Sequence, residues 1–125
     1  MDVQHRLRKG AIEIIPKGKL DINHSEDFES KFNEKAMAAQ DKIIGINLGK
    51  IEYIDSSGLG VLIKSLNAAK NEGKSLLMFG ASAKIQNIFQ LARLEKFFTF
   101  TSGVEFDSKY PSSEDDEMDS YLNNL

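Results

Sequence analysis

The residues best suited to chemistry form one run in the middle of the chain, Asp55-Ser56-Ser57-Gly58-Leu59-Gly60. Asp55 and Ser56 carry side-chain oxygens of the kind that accept hydrogen bonds from the free amides of a helix's first turn. A helix N-terminus also attracts anions, so the same run is suited to bind an anion or to carry a phosphate on a serine. From spacing alone, a capped turn and a phosphate-bearing or anion-binding site both remain open.

Two glycines within this run indicate a close approach to its backbone. Gly58 and Gly60 are poor helix formers, and each costs up to about 1 kcal/mol relative to alanine. We therefore expect something to approach this part of the backbone closely, and the two glycines would allow a loop of a partner to do so.

The chain lacks the residues that other catalytic mechanisms and metal sites would need. The chain has no cysteine, and His5 and His24 lie far apart in the sequence, which argues against metal sites and a catalytic triad. No Gly-Lys-Ser/Thr follows the run, and Asp55 stands where a Gly-x-Ser-x-Gly nucleophile motif around Ser57 would need glycine. We expect no metal and no cofactor, and we rank a phosphate-binding enzyme or nucleotide-binding protein last.

The elements around the run predict where it lies in a fold. A short apolar strand ending at Ile54 passes straight into a helix whose apolar face recurs every three or four residues, at Leu59, Leu62, Ile63, Leu66 and Ala69. The run therefore lies at the carboxyl edge of a sheet, where ligands and partners bind in open α/β folds.

The remaining pattern alternates strands and helices. The first two strands read as a hairpin over 3–20, and Pro16 inside the second predicts an edge strand or an interruption. Further elements are a helix from about residue 25, strands over 42–48, 75–79 and 97–100, and a helix over 81–94. This order predicts an α/β fold with a mixed sheet of about four to five strands. Because each helix has one apolar face, we expect the helices to pack mainly on one face of that sheet.

Charge divides the chain into a body and an acidic tail. Residues 103–125 contain seven acids and one lysine, which gives the tail a charge of −6, whereas residues 1–102 carry +3. We assign 1–102 to the domain and 103–125 to a tail, for which a short helix (through Met118, Tyr121, Leu122 and Leu125) and disorder remain open. A weakly basic body followed by an acidic tail argues against direct nucleic-acid binding.

The hydropathy of the chain and its first residues predict where in the cell the protein is located. The longest nearly apolar stretch, 43–48, is much shorter than the roughly 20 residues of a membrane span. The N-terminus lacks the basic and then apolar order of a secretory signal. We expect a cytoplasmic protein without membrane insertion.

The stretch Asp55–Val61 resembles the signature of the STAS domain, the fold of bacterial anti-sigma-factor antagonists. Gly18-Lys19-Leu20-Asp21 resembles the family's Gly-x-Leu-Asp after the second strand. The strand at 42–48 and the turn at 73–76 also match the family's order of elements, so the resemblance covers about 3–102.

This resemblance implies a function in transcription regulation. In the family, an ATP-dependent anti-sigma factor serine kinase phosphorylates the serine directly after the aspartate, which is Ser56 here, with Ser57 as the alternative. The unphosphorylated protein binds the kinase and so frees the sigma factor, phosphorylation ends this binding, and a PP2C-type phosphatase restores the active form. The resemblance assigns partner binding to a set of residues around this serine: Asp21, Asp55, Ser57, Gly58, Leu59 and Gly60.

Two positions depart from the family pattern, and some alternatives remain. Asn47 stands where aspartate is common, and Ala92-Arg93 replaces a glycine that often ends the third helix. Asp21 is equally explained as a turn residue that caps the first helix. The alternative function is an unphosphorylated structural subunit of a lipid-transport or signalling assembly.

Overall fold

The computed structural model describes residues 1–113, which form one mixed sheet and four helices. The strands are β1 (Asp2–Arg8), β2 (Ala11–Leu20), β3 (Ile43–Asn47), β4 (Ile51–Ile54), β5 (Ser75–Phe79) and β6 (Thr99–Phe100). The helices are α1 (Ser25–Phe32, followed by a π-helical turn, Asn33–Met37), α2 (Ser56–Asn71), α3 (Ala83–Leu91) and α4 (Gly103–Lys109). Within the described residues, no helix is long and apolar enough to cross a membrane.

The sheet has the order β1-β2-β3-β5-β6, and β4 pairs with β2 beyond the end of β3. β1 and β2 form the expected antiparallel hairpin, whereas all the other pairings are parallel. The predicted α/β class with a mixed sheet is confirmed, with six strands where about four to five were expected. Parallel pairing puts the carboxyl ends of β2, β3, β4, β5 and β6 at one edge.

Pro16 lies in an interior strand, so the predicted edge position is wrong, but the pairing on one side of the strand is interrupted at this residue. β2 pairs with β3 up to Ile14 and with β4 from Gly18 onward. Pro16 falls between these two partners, and its ladder partner in the described chain is Val3 of β1. A residue that lacks an N–H is tolerated here because the strand changes neighbours at this point.

The main core lies between one face of the sheet and helices α1, α2 and α3. Alternate strand residues point to this face, among them Ile12, Ile14, Ile44, Ile46 and Met78, all at most 2% exposed. Phe28, Phe32, Leu62, Ile85 and Phe89 of the helices pack against them. The expectation that helices cover mainly one face is confirmed.

Helix α4 lies on the opposite face of the sheet. Its Phe106 packs with Ala11 and Phe79, and its ring lies so close to Gly45 that a side chain there would overlap it. The fold therefore continues beyond residue 102, where the sequence prediction ended the domain, and it includes a helix over 103–109. The helical spacing of Met118, Tyr121, Leu122 and Leu125 lies outside the described residues.

A buried ion pair connects α4 to the sheet. The Arg8 guanidinium donates to Glu13 Oε1 (2.6 Å) and to the Tyr110 carbonyl (3.0 Å), and it lies 2.8 Å from Asp107. Burial alone would lower the pKa of Arg8, but the hydrogen bonds and charges of Glu13 and Asp107 outweigh this effect and raise the pKa. Asn47 completes the cluster, since its Nδ2 donates to Glu13 Oε2 (3.0 Å).

Arg93 ends α3 in a conformation that favours glycine. Its φ is +59°, and the amides of Arg93 and Leu94 donate to the carbonyls of Gln90 and Phe89. This pattern is a Schellman motif, in which the left-handed position is usually glycine. Arg93 thus takes the backbone shape of the glycine that it replaces, at the cost of local strain.

We expect Arg93→Gly to raise the free energy of unfolding by about 0.5–1 kcal/mol, because relief of the left-handed strain exceeds the extra entropy of glycine in the unfolded chain. Urea unfolding of both proteins measures the difference. Gln90→Gly, inside the same helix, is the control and should destabilise the protein. A destabilised Arg93→Gly protein would contradict the assigned motif.

Candidate functional site

The pairing of β2 with β4 creates the site. Leu20 and Ile54 are partners in the parallel register and are the last residues of their strands. The chain after Leu20 enters a turn that leads to α1, and the chain after Ile54 enters α2. The turn and the start of α2 are therefore held side by side at the carboxyl edge of the sheet.

Gly58 allows α2 to begin directly against the end of β2. A Cβ atom at this position would overlap the backbone carbonyl of Leu20 and would also crowd the Ile54 side chain. The predicted close approach at Gly58 is therefore made by the chain itself. Any other residue here would push the first turn of α2 away from the sheet.

Asp55 holds the two segments together through both oxygens of its carboxylate. Oδ1 accepts from the Gly58 amide (3.0 Å), as a helix N-cap does, and Oδ2 accepts from the Ile22 amide (3.1 Å). The Asp55 amide itself donates to the Leu20 carbonyl (3.4 Å). The predicted capping role of Asp55 is confirmed, and the same side chain also fixes the neighbouring turn.

Asp21 organises the turn that Asp55 holds. Its Oδ1 accepts from the Asn23 amide (3.0 Å) and lies 2.7 Å from His24 Nδ1. Burial alone would raise the pKa of Asp21, but the hydrogen bond and charge of His24 and the Asn23 amide lower it. The N-cap residue of α1 is His24. Asp21 therefore shapes the preceding turn and does not cap the helix, so the alternative interpretation of Asp21 as a cap is wrong.

The two serines of the run have different surroundings. Ser56 is the first residue of α2, and it is exposed. Ser57 is half-buried and lines a cleft of about 300 Å³ between α1 and α2. Gly60, one turn along α2, lines the same cleft.

The sequence interpretation missed an exposed apolar residue, Ile22, in the turn that is bonded to Asp55. Leu59, which the resemblance assigns to partner binding, is 9% exposed and belongs to the core. Ile22 is 71% exposed, and its amide is bonded to Asp55. An isoleucine between Asp21 and Asn23 in a polar turn is the signal in the sequence that could have identified it.

A second cavity lies on the other side of the turn. It has a volume of about 420 Å³ and is lined by Lys19, Asp21, Glu52, Tyr53 and Lys84. Its side chains carry two positive and two negative charges, so it shows no clear preference for an anion or a cation. Among residues 1–113, no group of three or more His, Cys, Asp or Glu side chains is arranged to hold a metal ion.

The chain matches proteins of known family in sequence. A model of the STAS domain family matches residues 3–106. An anti-sigma-B factor antagonist of Staphylococcus epidermidis is 31% identical over 62 residues, which are 50% of this chain and 57% of the relative. The chain thus aligns with little more than half the length of this curated relative.

Solved structures share the fold. The crystal structure of a Thermotoga maritima protein, described as a candidate anti-sigma factor antagonist, has a TM-score of 0.76 at 18% identity and covers 86% of this chain and 92% of that one. The anti-sigma factor antagonist SpoIIAA in its unphosphorylated form has a TM-score of 0.59 at 16% identity, with 97% and 98% of the two chains covered. The Bacillus cell fate determinant SpoIIAA in its phosphorylated form has a TM-score of 0.63 at 17% identity, with 86% and 98% covered.

At such identities the structural matches show the fold alone, and they agree with the sequence match. The family model spans the sheet, α1, α2, α3 and the first part of α4, and it includes the whole Asp55–Gly60 run. This chain belongs to the STAS domain family.

Proposed function

We propose that this protein is an anti-sigma factor antagonist whose binding to an anti-sigma factor serine kinase ends when Ser56 is phosphorylated. The observation that carries the proposal is the exposure of Ser56 at the first position of α2, beside an Asp55 carboxylate already bonded to two amides. The relatives named as anti-sigma factor antagonists support it. The protein is then the substrate of the kinase and not an enzyme.

The geometry favours Ser56 over Ser57 as the phosphate acceptor. A kinase must bring its active site to the hydroxyl, and Ser56 is exposed whereas Ser57 is half-buried in the cleft beside α1. That cleft also contains Glu26 and Glu29, whose charges would repel a phosphate on Ser57.

A phosphate on Ser56 would change the surface and leave the fold intact. It adds a charge of about −1.5 to −2, which the N-terminal end of the α2 dipole stabilises. Asp55 keeps both of its backbone hydrogen bonds, so the turn stays in place. A partner that covers this surface must then desolvate the phosphate, and each 1.4 kcal/mol of that cost weakens binding about tenfold.

The proposed kinase-binding surface surrounds Ser56. Asp21, Ile22 and Asp55 form its turn side, and Ser57 and Gly60 extend it along α2. Gly58 and Leu59 contribute through the position of the helix, since both are buried. A PP2C-type phosphatase that removes the phosphate completes the proposed cycle in the cytoplasm.

We predict that intact mass and phosphosite mapping of the protein from its native cells will find a phosphate of about 80 Da on Ser56. The phosphate should be absent from Ser56→Ala and present in Ser57→Ala, which is the matched control. A phosphate on Ser57, or an unmodified Ser56 across growth and stress conditions, contradicts the proposal. The unmodified result would favour a structural subunit of a lipid-transport or signalling assembly.

We predict that Ser56→Asp will bind the purified anti-sigma factor kinase of the same organism at least about tenfold more weakly than the wild type, because the interface must desolvate a fixed charge. Ser56→Ala should bind like the wild type. Isothermal titration measures both affinities. Equal affinities of Ser56→Asp and Ser56→Ala would argue against a charge-driven switch.

We predict that Asp55→Asn will keep the helix cap but release the turn. The remaining amide oxygen can accept from Gly58, whereas the new NH2 group cannot accept from Ile22. The cost should be about 1 kcal/mol, with faster hydrogen exchange at the Ile22 amide, and Asp55→Ala should cost about 1–2 kcal/mol. Unchanged exchange at Ile22 in Asp55→Asn would show that this bond does not hold the turn.

A further inference from the structure

We propose that the cleft between α1 and α2 receives a basic side chain, lysine or arginine, of the anti-sigma partner. This side chain lies directly over Gly60. This inference rests on the proposed function and specifies the chemistry of its partner. It concerns the part of the surface that does not contain Ser56.

The cleft is a formed surface feature with a mixed but net acidic lining. It has a volume of about 300 Å³, and its walls are two helices that pack against each other. The lining residues are Ser25, Glu26 and Glu29 from α1 and Ser57, Gly60, Val61 and Lys64 from α2. Two carboxylates therefore face one ammonium.

Gly60 is the residue in this cleft that the fold itself does not explain. Apart from its two chain neighbours and the nearby backbone of α2, a Cβ atom at Gly60 would meet no atom of the described chain within 4 Å, in contrast to Gly58. Its φ is also not in the positive range that favours glycine. A glycine in a helix lowers stability relative to alanine, so neither packing nor backbone conformation accounts for Gly60. The absence of a side chain leaves space on the outer surface, where a partner atom can lie against the helix backbone.

The charged residues of the cleft indicate that the partner atom carries a positive charge. Lys64 Nζ lies 3.6 Å from Glu29 Oε2, so the cleft already holds one ammonium group beside a carboxylate. The Lys64 side chain is 71% exposed, and the Glu29 side chain is partly exposed, at 38%. A pair this exposed is weak, and an incoming cation can replace Lys64 at low cost. Glu26 adds a second negative charge on the same wall.

The cleft continues the surface around Ser56 along the same helix. Ser57 lines the cleft and directly follows Ser56. A partner that covers Ser56 is thus already within reach of Gly60, one turn further along α2. The phosphate acts at one end of this surface, and the cleft selects the partner at the other.

The first test uses Gly60→Ala, for which we expect two effects of opposite sign. Thermal unfolding should shift upward by about 3 °C, because alanine favours the helix. Gly60→Ala should bind the purified anti-sigma factor kinase about tenfold more weakly than the wild type does. The reason is that the methyl group occupies the space of the partner's basic side chain. Asn67→Ala, at an exposed position of the same helix, is the control and should stabilise the protein without changing affinity.

The second test changes the charges. Glu29→Gln should weaken kinase binding about fivefold, and Lys64→Gln should strengthen it about threefold because it removes the competing ammonium. Addition of 0.5 M NaCl should reduce both differences, as expected for exposed charges. Circular dichroism and unfolding curves confirm that each variant is folded.

The outcomes separate this inference from the proposed function. If the wild type binds the kinase and Ser56→Asp does not, but Gly60→Ala and Glu29→Gln bind like the wild type, the cleft proposal is overturned and the proposed function stands. Weaker binding by Lys64→Gln also overturns it, since the partner would then be using the lysine. If the wild type binds no purified anti-sigma factor kinase of its organism, the proposed function fails and the cleft proposal fails with it.

Discussion

The site depends on one close contact, the approach of the first turn of α2 to the backbone carbonyl of Leu20. The parallel register of β2 with β4 makes Leu20 and Ile54 neighbours, and the absence of a side chain at Gly58 lets the helix begin directly against them. Asp55 then bonds to an amide on each side of this contact. Because these bonds use both carboxylate oxygens, the turn at Asp21–His24 and the start of α2 behave as one unit.

The opposite face of the sheet supports the same edge. Asn47 Oδ1 accepts from the Gly49 amide (2.9 Å), and this turn leads into β4 and so into Asp55. Its Nδ2 donates to the buried Glu13, which also binds Arg8. An aspartate at 47, common in the family, would place a second carboxylate against Glu13, and like charges this close repel strongly when buried. The asparagine is thus explained by its neighbour, because its amide group can donate to Glu13 where a carboxylate could not.

The sequence predicted those features of the fold that depend on local patterns of apolar and turn residues. It identified the hairpin, the strand-to-helix junction and the helices on one face, because apolar spacing and turn residues determine them. It could not decide between an edge and an interruption at Pro16, because a change of strand partners is a tertiary feature. It also treated Gly58 and Gly60 alike, and the resemblance assigned Leu59 to partner binding. Which glycine faces the chain's own backbone, and which leucine turns inward, depends on how α2 lies against the sheet.

Gly58 and Gly60 lie on the same turn of α2, but the fold requires only Gly58 to lack a side chain. Gly58 is needed for the fold, because any side chain there would separate α2 from β2. Glycine at position 60 lowers the stability of the helix relative to alanine, and no atom outside its chain neighbours and the nearby backbone of α2 would obstruct a Cβ atom there. Ser56 lies on the exposed side of the same turn, next to an aspartate whose bonds do not involve the serine hydroxyl. A charge added at Ser56 therefore acts on whatever covers this surface, while the contact between β2 and α2 is preserved beneath it.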